Sequence, residues 1–240
     1  MNFLSHFYFD RHSEDPHLVL GAVLPDLVKN ARKDWNLHPE RNSELVNSDF
    51  ESSILEGWKR HMIVDRHFHN SVFFAEHTSE IKKAIIPALK NSVVRPSFLA
   101  HISLELMLDS TLLTENHIQT VDFYSHLRQS DREAINRFLK LSSIDDTTQF
   151  FNFFDKFIQS NYLETYRESY NIMYALNRIC MRVWKDPLTA SEIINLSDIL
   201  NNYQQNMLGN YMEIFEEINL KLMESGERRM ENGKNHPTNY

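Results

Sequence analysis

The sequence predicts an all-α protein, a single-domain helical bundle, and three observations carry that reading. Glycine is scarce, with 5 in 240 residues, too few for the many φ > 0 turn positions of sandwiches, barrels and Rossmann folds. Prolines stand where helices begin, bend or end, and Ser/Thr-x-x-Glu capping pairs repeat along the chain. Apolar residues return at spacings of three and four, the period of a helix with one buried face. Hydrophobic residues make up 42%, enough for one sizeable core, so global disorder is excluded.

Each element follows from these signals. Asp15-Pro16 reads as a cap and first-turn proline for a helix over 16–33, bent at Pro25. Residues 34–49 are polar and read as a loop. Ser48 with Glu51 opens a helix over 49–76. A shorter helix covers 79–91, and Pro96 starts one that runs to 113. Ser130 with Glu133 opens 131–140, between helices at 117–127 and 147–160. A further helix covers 162–184. Thr189 with Glu192 opens a long one over 190–223, with Leu196, Leu200, Tyr203, Met207, Tyr211, Ile214, Ile218 and Leu222 in one stripe that suits packing within the monomer or a dimer seam. The domain spans 1–224, and 225–240 reads as a flexible polar tail.

Charge and cysteine usage narrow the class. A net charge of −8 argues against non-specific binding to nucleic acid. The lone Cys180 rules out an internal disulfide framework, fits a reducing compartment and reads as a buried, inert thiol. The opening residues have no basic segment before an apolar run, and 98–113 is too short and too charged to span a bilayer. The expectation is a soluble, cytoplasmic protein with no membrane partner. No P-loop, Rossmann fingerprint, nucleophile elbow or CxxC occurs.

Two helices place ionisable residues where apolar ones belong. In 49–76, Ile54, Trp58, His61, Asp65, Phe68 and Val72 form the seam that should be buried, and His61, Asp65 and His69 make an i, i+4, i+8 row. In 96–113, a helix apolar nearly all round, His101, Glu105 and Asp109 make a second such row. Carboxylates are rarely buried unless paired or metal-bound. Facing His and carboxylate rows are how helical bundles hold metals, and donors without thiolate suit Mn, Fe, Zn or Mg. Nine of the twelve histidines lie at or before His101. His6 and Asp26 add two more polar groups within apolar segments.

Plainer readings exist for each feature. His61 with Asp65 could be a buried ion pair, and Glu105 with Asp109 could be neutralised by a basic residue of another helix. His6 could be a satisfied core histidine, and Asp26 a cap. His69 and His101 read as supporting or structural groups more than as primary ligands. His12, His17, His38, His77, His117, His126 and His236 read as surface residues. Lys29, Arg32 and Lys33 form a basic helix end that suits a phosphate or an acidic partner.

The motifs Met1-Asn2-Phe3-Leu4-Ser5-His6, Gly21-Ala22-Val23-Leu24-Pro25-Asp26, the run from Gly57 to Asp65 and the run from Leu104 to Asp109 resemble, in order and distance, the bacterial acyl carrier protein phosphodiesterases. The likeness covers the first 115 residues; beyond them only Arg178 and Arg182 suggest it. It implies an HD-domain-like fold, distantly related to HD-type metal phosphohydrolases, and a divalent metal, usually manganese. The implied reaction removes 4′-phosphopantetheine from holo acyl carrier protein, a step in the economy of fatty acid biosynthesis. Carried over, His6, Asp26, His61, Asp65 and Asp109 would hold the metal. Glu105 or His101 would orient water, and Arg178 or Arg182 would balance phosphate charge. Glu105 stands where the family has aspartate, His69 where it has an acid, and no literal His-Asp doublet occurs. The carrier protein is acidic, so at −8 the chain needs a local basic patch, for which Lys29, Arg32 and Lys33 are the candidates. The remaining alternatives are a phosphohydrolase of the same fold acting on a small phosphoester or nucleotide, and a non-enzymatic partner-binding helical module.

Overall fold

The computed structural model describes residues 1–90 and 92–234, with side chains for all of these except Leu45 and 225–234. Its described residues form eleven α-helices, three short 3₁₀ turns and no strand. The all-α expectation therefore holds. The buried apolar side chains form one connected core. No helix among the described residues is long and apolar enough to cross a membrane.

The first helix is the one the sequence did not announce. Residues 2–9 read only as an apolar segment, yet α1 (Phe3–Asp10) is helical and almost wholly buried. Its own Asn2 provides no side-chain cap. Asp109, more than a hundred residues away, accepts the Leu4 and Ser5 amides at 3.1 and 2.7 Å instead. A short helix with no local cap is marginal by itself, so tertiary contact decides it.

The next helices follow their signals more closely. In α2 (Pro16–Ala31), Asp15 accepts the His17 and Leu18 amides and Pro25 lies inside the helix. α3 (Asp49–Asn70) is capped by Ser48 on the Glu51 amide. It ends earlier than the periodicity suggests. The Ser71 hydroxyl donates to the Phe68 carbonyl and accepts the Phe74 amide, closing α3 and opening α4 (Val72–Ile85) in one residue. Val72 thus leaves the seam and is 70% exposed.

α2 and α3 cross with backbones touching. A Cβ on Gly21 would lie 2.2 Å from the Ile54 carbonyl oxygen, and one on Gly57 would lie 2.1 Å from that of Leu18. Only glycine permits this approach. The crossing brings the α3 seam against the backbone of α2 one turn before His61.

α5 (Pro96–Thr114) packs against α4 and α1. α6 (Thr120–Gln129), α7 (Arg132–Leu141) and α8 (Thr148–Ser160) enclose the other side of the core. The cap of α7 is Asp131 rather than Ser130, through the Ala134 amide. The expected 162–184 helix divides into a 3₁₀ turn, Tyr162–Arg167, and α9 (Ser169–Cys180). Cys180 is buried there, and burial raises its thiol pKa to about 11.

The expected 190–223 helix is two. α10 (Ala190–Met207) opens with the full Thr189/Glu192 capping box. Gly209 and Asn210, both weak helix formers, lie in the break before α11 (Met212–Lys234). The break lets α10 pack on α4, α5 and α9 while α11 packs on α3. The apolar stripe packs within the monomer, buried except at the partly exposed Tyr203. The helix continues past residue 225 to Lys234, and the last six residues of the expected tail lie outside the described residues.

Candidate metal centre

His6 on α1, Asp26 on α2, three residues of α3 and two of α5 converge where these helices meet. His61 is buried, and its Nδ1 lies 2.8 Å from the Ala22 carbonyl oxygen. A carbonyl only accepts, so Nδ1 carries the hydrogen and Nε2 keeps its lone pair for the centre. The glycine crossing makes this bond possible, because Gly57 and Gly21 bring the two backbones together. The His6 ring stacks on His61, with centroids 3.8 Å apart. His6 is 1% exposed and neither ring nitrogen has a hydrogen-bond partner. A buried imidazole with two unpaired nitrogens is costly, so His6 is not a satisfied core histidine and both nitrogens are open to a ligand. The Asp65 carboxylate lies 3.9 Å from His6 Nε2.

His6, His61 and Asp65 form one group whose donor atoms lie within 4.8 Å of one another. His69, His101 and Glu105 form a second. In the second, His69 Nε2 lies 3.0 Å from His101 Nε2 and 3.4 Å from Glu105 Oε1, and His101 Nε2 lies 3.1 Å from Glu105 Oε1. Either group can hold a metal ion. Both offer two imidazoles and one carboxylate, a donor set that suits Mn, Fe or Zn.

A positive charge already joins them. The Met1 α-ammonium lies 2.8 Å from Asp65 Oδ1 and 3.1 Å from Glu105 Oε1. Burial opposes its charge, but Glu105 and Asp65 prevail and raise its pKa to about 10. Burial likewise works against the charge on Asp65, yet the His69 hydrogen bond and the ammonium hold that carboxyl far below its usual range. Glu105 behaves the same way, with the ammonium, His101 and His69 outweighing burial. His69 is raised to about 9 by its bonds to Asp65 and Glu105. Burial drives His6 well down and His61 to about 4, so both stay neutral and ready to coordinate.

The remaining residues singled out by the sequence fall in three places. Asp109 lies in neither group. It is fully buried, and its carboxylate accepts the Leu4 amide, the Ser5 amide and the Ser5 hydroxyl, the last at 2.6 Å. Burial still raises its pKa to about 7. Asp109 therefore anchors the helix that carries His6, acting through it. Asp26 lines a cleft of about 480 Å³ together with Met1, Glu105, Arg178 and Arg182. Its Oδ2 is buried without a partner, and burial, reinforced by Glu105 and Asp65 against the ammonium, raises its pKa to about 8. Arg178 and Arg182, from α9 and the turn after it, line the same cleft.

The basic helix end sits apart. None of Lys29, Arg32 and Lys33 lines the cleft. Arg32 pairs with Asp34 at 2.7 Å, Lys29 bonds to the Asn36 side chain, and Lys33 donates to the Arg182 carbonyl at 2.9 Å. Lys33 supports the turn that presents Arg182, whose guanidinium donates to Asn30 at 2.7 Å. The cleft walls Tyr162, Tyr166 and Tyr174 had no signal in the sequence, because exposed and core tyrosines share the same helical spacing.

Two histidines expected on the surface are buried. His17 accepts the Asp131 amide at 3.0 Å and stacks on Phe50. His77 lies 2.6 Å from the Tyr203 hydroxyl. No protein-family model, curated protein or solved structure matches the chain.

Proposed function

We propose that the protein is a metal-dependent phosphodiester hydrolase, with the 4′-phosphopantetheine arm of holo acyl carrier protein as the substrate its N-terminal motifs suggest. One observation supports this most: the unpartnered, buried His6 beside the tautomer-fixed His61 and Asp65, next to an arginine-walled cleft. A divalent ion held by His6, His61 and Asp65 would supply Lewis-acid polarisation of a phosphoryl oxygen and an acidified water. Manganese is the first ion to test, with iron, zinc and magnesium as alternatives.

The chain's own residues divide the remaining work. Arg178 and Arg182 bind the phosphoryl oxygens and offset the charge that grows on them. Water adds to phosphorus, its proton passing to solvent, from which Asp26 is re-protonated after turnover, and the P–O bond to the leaving alcohol breaks. Asp26, which keeps its proton up to about pH 8, gives that proton to the leaving oxygen from the cleft wall. Met1 and Glu105 belong to both the cleft and the ionic centre, so a phosphate bound between the arginines meets the acidic floor.

Intact-mass measurement on manganese-loaded protein and holo acyl carrier protein tests this. The expected result is loss of the phosphopantetheine arm, abolished by Asp65→Ala. Arg178→Ala should lower kcat/KM about 10–100-fold, the loss of one charge-assisted hydrogen bond. Cleavage of a small phosphodiester alone would keep the hydrolase and discard the carrier protein. A metal-loaded protein that cleaves neither would overturn the reading.

A further inference from the structure

We infer that His69, His101 and Glu105 form a second divalent-cation position, beside the one at His6, His61 and Asp65, so that the centre takes two ions. The resemblance supplies no such position: two of these three residues are where the chain departs from that family's pattern.

The geometry is that of a coordination face. Ligand bonds of about 2.1 Å place neighbouring donors about 3.0 Å apart around an octahedral ion and about 3.4 Å apart around a tetrahedral one. The three edges here measure 3.0, 3.1 and 3.4 Å. The rings are oriented for this. His69 Nδ1 lies 2.8 Å from the Asp65 backbone carbonyl, so its hydrogen is spent there and Nε2 turns inward. Phe74 packs edge-on against both imidazoles, at 5.0 Å from each, and fixes their planes.

Access and open coordination positions are also present. Three protein donors leave positions for water or substrate. The His101 side chain is 39% exposed and lines a cavity of about 510 Å³ with Arg95, Phe98 and Trp184. That cavity is an entry path for a hydrated ion. The first group faces its neighbour through Asp65, whose Oδ1 is 3.4 Å from His69 Nδ1. Asp65 and Glu105, one from each group, share two neighbours, the Met1 ammonium and His69.

Counting ions needs no substrate, so the test is independent of the hydrolase reading. Full-length protein is stripped with chelator, loaded with Mn²⁺, desalted and measured by elemental mass spectrometry and by electron paramagnetic resonance. The expected wild-type result is two ions per chain with a spin-coupled spectrum. His101→Ala, at a half-exposed position that thermal melting should show still folded, is expected to hold one ion with an isolated six-line spectrum. Glu105→Gln, which preserves shape, should do the same. His61→Ala should also hold one ion, now at the second position. One ion in the wild type, retained in His101→Ala and lost in His61→Ala, overturns the second position and leaves the first intact. One ion lost only in His101→Ala supports the second position and overturns the first. No ion in any form overturns both, with a protonated His69 then balancing the carboxylates.

Discussion

Two regions of the molecule bury histidines, and they do so differently. At the periphery, each buried imidazole has a defined partner from another helix: His17 takes the Asp131 amide, and His77 meets the Tyr203 hydroxyl, which itself donates to Glu80. At the junction of α1, α2, α3 and α5, His6 has no partner on either nitrogen, and His61 spends one nitrogen on a backbone carbonyl and keeps the other free. Burial is therefore not what distinguishes a site. Two unpartnered nitrogens on one fully buried ring are what set His6 apart, since the partly buried His126 outside the centre leaves only Nδ1 without a partner.

The contrast is broken most severely through the backbone. Gly57→Ala would push a methyl into the Leu18 carbonyl, 2.1 Å from the position its Cβ must take. Separating α2 from α3 also removes the Ala22 carbonyl from His61. The expected cost is about 3 kcal/mol or more, a fall in Tm on the order of 10 °C, with metal binding lost along with it. A calorimetric scan with and without Mn²⁺ checks this, and a variant that melts and loads like wild type would show that the crossing does not position His61.

A middle-sized effect sharpens the contrast through pH. Asp26 has its folded pKa raised to about 8 from 3.8. Its contribution is thus fully present below 3.8 and is lost as pH rises through 8. His69, raised to about 9 from 6.5, works in the same direction above pH 6.5. His61, lowered to about 4, works in the opposite direction, losing its contribution only as pH falls from 6.5 through 4. Between pH 6.5 and 8 the metal-free protein should therefore lose stability as pH rises. Asp26→Asn should flatten that slope and melt higher than wild type at pH 8, by on the order of 5 °C. Parallel slopes in the two proteins would remove Asp26 from the account.

The smallest effect belongs to the periphery. His77→Ala gives up the Tyr203 bond and a contact with Phe73. It should lower Tm by a few degrees, for about 1–2 kcal/mol, and leave the metal count unchanged. A fall in bound metal would mean that the two regions are not independent.

The sequence by itself determined the helical class, most helix starts and the two polar rows. Those are local properties: a cap three residues from its amide, a proline at a first turn, a donor every fourth residue. It also marked His61, Asp65 and Glu105 as ionisable groups in seams that should be apolar. What it could not rank were His69 and His101, read as supporting groups, or the buried state of His17 and His77. Helical spacing shows which face a residue lies on, and the neighbour opposite that face is set only when helices pack.

Tertiary structure decided the rest. It capped α1 with a carboxylate from α5, turning Asp109 from an expected ligand into the anchor of His6. It broke 190–223 at Gly209, because two shorter helices bury their stripes on different partners. It brought Arg178 and Arg182 to the same cleft as Asp26 and left Lys29, Arg32 and Lys33 outside it. Each of these depends on contacts between residues far apart in the chain, where no periodicity reaches and only close packing selects the partner.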